Sequence, residues 1–171
     1  MTEIGIIGFG QFGQFMARHL APFFAVAVCD TRAELQTETR NVGVRWSDFE
    51  TVAAKKIVVF AVPLNSFAEV LQNAAPHLKD GALCLDVMSV KIKPIELMLR
   101  HLPPTVEIIG THPLFGPQSG REGIEGLRVA LCPVRTTRLG KVKNFLADDL
   151  KLTVLEKSPE EHDREMAHVQ A

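Results

Sequence analysis

Apolar residues fall along this chain in short runs that alternate with longer segments of helical period. "EIGIIG" (3–8), "FAVAVCD" (24–30), "KIVVFAV" (56–62), "ALCLDV" (82–87) and "TVEIIGT" (105–111) are nearly unbroken apolar stretches. Runs of this length without polar alternation read as strands buried on both faces. Between them, residues 12–21 place Phe12, Phe15, Met16 and Leu20 at helical spacing, and "NSFAEVLQNAAPHL" (65–78) and "KPIELMLRHL" (93–102) read as helices. "TRAELQTETR" (31–40) is polar and helix-prone, "GVRW" (43–46) reads as a short strand, and "SDFETVAAK" (47–55) opens on a cap signal. "LRVALCP" (127–133), a helix at 138–149 and "KLTVLEK" (151–157) complete the alternation. Strands and helices joined by short connections with right-handed crossovers predict an α/β fold, a doubly wound and mostly parallel open sheet.

The last stretch differs. In "SPEEHDREMAHVQA" Ser158 is placed as an N-cap, Pro159 as the first helical residue and Glu161 as the partner in a capping box. A helix starts firmly there, and no glycine, proline or basic turn ends it before Ala171. The expected organisation is a domain over 1–157, followed at 158–171 either by a short C-terminal helix or, the favoured reading, by the start of a linker helix into a second domain.

Composition narrows the picture slightly. The 171 residues carry a formal net charge of −1, so no basic field invites nucleic acid or an anionic membrane. No apolar run approaches the roughly 18 residues of a bilayer span. The first strand begins at Glu3, which leaves no room for a signal or transit peptide. Cys29, Cys84 and Cys132 stand alone inside apolar runs and read as buried thiols of a cytoplasmic protein.

Chemistry enters at the first turn. Gly8, Gly10 and Gly13 form G-x-G-x-x-G, with Gln11 and Phe12 between the last two, where the first strand hands over to the first helix. Gly8 permits a tight turn, Gly10 lets backbone approach a pyrophosphate, and Gly13 lets helix and strand pack closely. Asp30 ends the second strand, where a carboxylate accepts hydrogen bonds from adenosine ribose hydroxyls. The constellation predicts a Rossmann-type dinucleotide domain and favours NAD. Arg32, which can stack on adenine or pair with a 2′-phosphate, keeps NADP open. Val62 and Pro63 end the fourth strand at the same edge and are placed to wall the nicotinamide.

The catalytic candidates lie on that edge too. Ser89 in "DVMSVK" points a hydroxyl toward it, while Lys91 reads as solvated charge and Asp86 as a structural hydrogen-bonding group. His19, His77 and His101 fall on helices or helix ends and read as structural, and no pair of histidines suggests a metal site. His112, in "THPLFGPQSG" (111–120), ends a strand and is held extended by the proline after it. An imidazole there can accept a proton from a substrate hydroxyl as hydride leaves the same carbon.

Together, "GIIGFGQFG", "DVMSVK", "THPLFGPQSG" and "SPEEHDREMAHVQA" resemble the nucleotide-binding domain of the prephenate/arogenate dehydrogenase family. The resemblance implies an NAD-dependent oxidative decarboxylation of prephenate or arogenate in tyrosine biosynthesis. It also implies a following helical domain that forms a homodimer and completes the substrate site. His112 matches the family's proton-accepting histidine and Ser89 its serine near the nicotinamide. His162 matches "EEHD", with capping or interdomain packing the competing reading. Gln118 stands where many relatives carry an acid; a neutral amide supplies no counter-charge for an amino group, which tilts the substrate toward prephenate. Two other readings remain. One is a β-hydroxyacid-type NAD(P) dehydrogenase, which would need a lysine and asparagine four apart where Lys141 and Asn144 are three apart. The other is a nucleotide-binding module without chemistry.

Overall fold

The computed structural model describes residues 1–170; Ala171, the end of the expected linker helix, lies outside the described residues. The elements follow in the order β1 (Glu3–Ile7), α1 (Gln11–Leu20), β2 (Ala25–Cys29), α2 (Thr39–Val42), β3 (Arg45–Trp46), α3 (Phe49–Ala53), β4 (Ile57–Phe60), α4 (Leu64–Ala74), β5 (Leu83–Asp86), α5 (Ile92–His101), β6 (Glu107–Pro113), β7 (Arg128–Arg135), α6 (Leu139–Asn144), β8 (Thr153–Glu156) and α7 (Pro159–Gln170). The eight strands form one sheet in the order β3-β2-β1-β4-β5-β6-β7-β8. All pairings are parallel except β6 with β7. The mostly parallel Rossmann-type sheet is therefore as the residue pattern predicts.

Both faces of the sheet are covered, which is why its strands read as unbroken apolar runs. Ile7, Val58, Phe60, Cys84 and Ile108 pack under α3, α4 and α5. Ile4, Ile6, Val28 and Val59 point the other way, toward α1. The three cysteines are buried and unpaired. Burial pushes the thiols of Cys29 and Cys84 up to about 12, so they are inert apolar filler.

Three local expectations need correction. Residues 31–40 form a 3₁₀ segment, Ala33–Glu38, before the single turn of α2. No residue of that 3₁₀ segment is buried, so no apolar face exists to hold an α-helix there. The helix expected over 138–149 changes after Asn144 into a wider π-type turn, Phe145–Asp149. The strand expected to stop at Thr111 runs on through His112 and Pro113, because β7 pairs antiparallel with it, opposing His112 to Ala130 and Pro113 to Val129.

Candidate active site

The glycine turn is built as its sequence requires. Gly8 adopts φ +107°, and a Cβ there would lie 2.2 Å from the Ala61 carbonyl oxygen, on the strand end beside Val62. A Cβ on Gly13 would lie 2.3 Å from the Gly8 carbonyl oxygen, so α1 meets β1 in direct backbone contact. Gly10 is the N-cap of α1 and offers no side-chain acceptor, and no acid stands in the first turn. The N–H groups of Gln11, Phe12 and Gly13 therefore open α1 without an intrahelical partner, an arrangement suited to a phosphate. The ring of Phe12 turns inward to pack near Phe15, leaving only its backbone to the turn.

Asp30 stands just past β2 at the same edge. Its Oδ2 accepts from Phe9 N at 2.8 Å and its Oδ1 from Arg32 N at 2.9 Å. The Arg32 guanidinium folds back on the same carboxylate, with Nε 3.0 Å from Oδ1. Burial works against the Asp30 charge, but Arg32 and the two N–H groups outweigh it and hold the carboxyl below its ordinary range. The guanidinium hangs over the turn, with Nη2 3.2 Å from where a Gly10 Cβ would be. Any ribose hydroxyl binding Asp30 must share that carboxylate with Arg32. Val62 is half-buried and Pro63 exposed at the head of α4.

The His112 end of the site is assembled from distant segments. His112 Nδ1 lies 2.9 Å from His162 Nε2, and His162 Nδ1 lies 2.7 Å from Asp163 Oδ1. Asp163 also accepts from Lys91 N at 2.7 Å and Ile92 N at 3.0 Å, which closes the N-terminus of α5. Ser158 caps α7 as expected, its Oγ accepting from Glu161 N at 3.1 Å, and this cap sets the helix register that delivers His162. His162 is 1% exposed, a burial that a merely capping residue does not need.

This chain of contacts fixes a tautomer. The Asp163 carboxylate accepts only, so the neutral His162 ring carries its proton on Nδ1 and presents a lone pair at Nε2. His112 must then donate from Nδ1, which leaves its Nε2 as the free acceptor. Burial, then the charge that His162 carries when it is itself protonated and the charge of Lys91, push His112 down to about 4 against the pull of Asp163. At neutral pH it is an uncharged base whose cation, once formed, is met by Asp163 through His162.

Lys91 is not solvated charge. It is 0% exposed, and its Nζ donates to the Asp86 carboxylate and the Thr111 carbonyl. Asp86 in turn accepts from Met88 N at 3.1 Å and Thr111 N at 3.3 Å, the structural role expected of it. Burial raises the Asp86 carboxyl and lowers the Lys91 amine, opposing both charges. The pair pins β5 to the β6 residue just before His112. No signal local to "DVMSVK" separates this lysine from a surface one; Asp86, five residues before it at the end of an apolar strand, is the one charged partner that stretch offers.

Two further candidates are placed but not drawn into this cluster. Ser89 is exposed in the bend after β5, at the His112 edge of the sheet. Gln118 is exposed in the turn after β6, in a loop that Phe115 and Gly120 tie to Phe15 of α1. Lys141 and Asn144, the residues of the β-hydroxyacid alternative, sit on α6 beyond the opposite end of β7, far from His112 in the topology.

Comparison with known proteins agrees with the fold and with the family that the motifs resemble. The family model described as prephenate dehydrogenase, nucleotide-binding domain, matches residues 16–152. A probable arogenate/prephenate dehydrogenase of Methanocaldococcus jannaschii is 37% identical over 138 residues, covering 77% of this chain and 30% of its own length. Arogenate dehydrogenase 1, chloroplastic, of Arabidopsis thaliana is 33% identical over 137 residues, covering 78% of this chain and 21% of its own. The chain thus spans less than a third of these two relatives. In fold it matches Synechocystis arogenate dehydrogenase, with a TM-score of 0.84 at 20% identity over 98% of this chain and 64% of that one.

Proposed function

The chain belongs to the prephenate dehydrogenase nucleotide-binding domain family, and from that membership and its site we propose that it is the cofactor-binding, proton-accepting part of an NAD-dependent prephenate or arogenate dehydrogenase. The observation that carries the reading is the Asp163–His162–His112 relay, which leaves a lone pair on His112 Nε2 at the sheet edge that holds the glycine turn.

The residues suit a dinucleotide. The first N–H groups of α1 would hold the pyrophosphate, Asp30 the adenosine ribose, and Val62 and Pro63 would back the nicotinamide. When bound, NAD supplies the hydride acceptor. This chain's own part is the proton. As hydride leaves the carbinol carbon of the ring, His112 Nε2 takes the hydroxyl proton. The ring carboxylate departs as carbon dioxide, and the electron pair of the broken carbon–carbon bond completes the aromatic ring. His162 and Asp163 hold the His112 ring in the accepting tautomer and offset its new charge. Ser89 and Gln118 are proposed to meet the substrate, with the neutral amide of Gln118 favouring prephenate. The homodimer and the remaining substrate contacts belong to the full-length proposal.

NAD rather than NADP is favoured because Asp30 places a carboxylate where a 2′-phosphate would lie. A relative in Schizosaccharomyces pombe, described as a probable prephenate dehydrogenase, is named for NADP(+), and Arg32 is the residue through which such a preference would arise here.

The test has two stages. NAD and NADP affinities are measured on this chain, and the full gene product is then assayed with prephenate and arogenate. His112→Asn is expected to abolish NADH formation and leave NAD affinity within about twofold. Undiminished turnover in that variant would remove His112 from the chemistry.

A further inference from the structure

We propose that this chain carries a second ligand site, for an apolar-bodied monocarboxylate, in a cavity on the face of the sheet turned away from His112. The argument rests on packing and charge and does not depend on the catalytic reading.

The cavity measures about 480 Å³, within the roughly 300–1,000 Å³ of small-molecule sites. It arises from a gap in helix coverage. On this face α1 covers one end of the sheet and α6 the other, and the middle strands lie between them. Ile57 on β4 and Leu85 on β5 are only half-buried there, although both strands are central. The widened turn after α6 bridges the gap. Its Phe145 reaches the chain end of α1 and meets Phe23 and Phe24 edge-on, with ring centroids 5.4 and 5.1 Å apart. The turn thus roofs the cavity instead of filling it.

The interior is apolar, with Phe12, Phe15, Met16, Val59 and Leu85 among its walls. The apolar walls offer water few of the two to four polar partners it needs. An organic occupant would gain dispersion contacts there that water does not.

The open end gives the occupant its charge. Lys56 precedes β4, Leu83 begins β5 and Arg138 caps α6, so this end lies at the sheet edge opposite the glycine turn. Lys56, Arg138 and Lys141 line it, and no carboxylate does among the described residues. Arg138 is committed to Glu107 at 2.7 Å. Lys56 and Lys141 are exposed and in no ion pair among the described residues. An occupant with an apolar body and one anionic end matches both halves of the cavity.

The site is separate from the catalytic one by strand geometry. Thr111 and Pro113 face the cavity, whereas His112 between them faces the relay on the other side. A ligand here and a substrate at His112 do not compete for space.

Isothermal titration of this chain with octanoate, against octan-1-ol as the uncharged control, tests the proposal. We expect saturable binding of one octanoate per chain, at least tenfold weaker binding of the alcohol, and unchanged NAD affinity. Leu85→Trp, which fills the cavity, and Lys56→Glu with Lys141→Glu, which reverses its mouth, are each expected to raise the octanoate Kd at least tenfold. If Leu85→Trp does not fold, Val142→Trp fills the same space from α6. No saturable binding, displacement of octanoate by NAD, or a Kd unmoved by both the filling and the charge-reversal variants would overturn the proposal.

Discussion

Replacing Lys91 by methionine isolates the energetics of the buried pair. Methionine keeps the unbranched stem and much of the volume, so packing changes little. What disappears is the Nζ that donates to Asp86 and to the Thr111 carbonyl. Both side chains are fully buried. Asp86 is left with only two backbone donors, at 3.1 and 3.3 Å, and no cation. Leaving one member of a buried pair uncompensated costs about 3–5 kcal/mol. For a chain of this size each kcal/mol moves Tm by about 2–4 °C, so Lys91→Met is expected to lower Tm by about 6–20 °C. The sign with pH follows. Without the lysine, burial holds the Asp86 carboxyl above its unfolded value, so the folded state binds that proton more readily. The penalty is full above the folded pKa and shrinks as pH falls through it. Adding Asp86→Asn removes the stranded charge and is expected to recover more than about 1 kcal/mol of the loss. Thermal unfolding by circular dichroism at several pH values, on the wild type, both single variants and the double variant, reads all of this. Additive losses with a Tm drop for Lys91→Met under about 3 °C would refute the account.

Three further outcomes follow from the same geometry. His112 has its pKa depressed to about 4 from an ordinary 6.5, so between these values the unfolded chain binds the extra proton; its stabilising contribution is full above pH 6.5 and fades as pH falls toward 4, and His112→Gln is expected to flatten that limb of a stability–pH profile. His162→Asn in the full gene product is expected to lower kcat at least tenfold with KM for NAD nearly unchanged and to move the acid limb of the pH–rate profile, whereas a merely packing residue would leave the limb in place. Gly13→Ala drives a Cβ to 2.3 Å from the Gly8 carbonyl, so loss of folded protein or of NAD binding is expected, and a well-folded variant with normal affinity would show that the turn is more yielding than its geometry implies.

Much of the fold was legible because its determinants are local. A strand buried on both faces must be apolar throughout, so β1, β4 and β5 announce themselves in "EIGII", "IVVF" and "LCLD". The glycine turn is equally readable, since each glycine answers a contact between neighbouring segments. His112 could be singled out as a candidate because a histidine before proline, near the strand's carboxyl end on the ligand edge, is a positional argument. The exposed 3₁₀ segment at Ala33–Glu38 shows the limit: helix propensity is visible in sequence, but the surface to pack against is not.

The sequence by itself determined the sheet, the glycine turn and which histidine is the candidate proton acceptor, because hydrophobic period and turn chemistry act over a few residues. Only the tertiary structure decided what surrounds that acceptor. His162 and Asp163 come from a helix fifty residues away, and their burial depends on how α7 docks against α5. Lys91 reads as surface until β6 closes over it, because solvation is a property of the packed chain rather than of the residue. The state of an ionisable group depends on its dielectric surroundings and charged neighbours, and these exist only once the chain has folded.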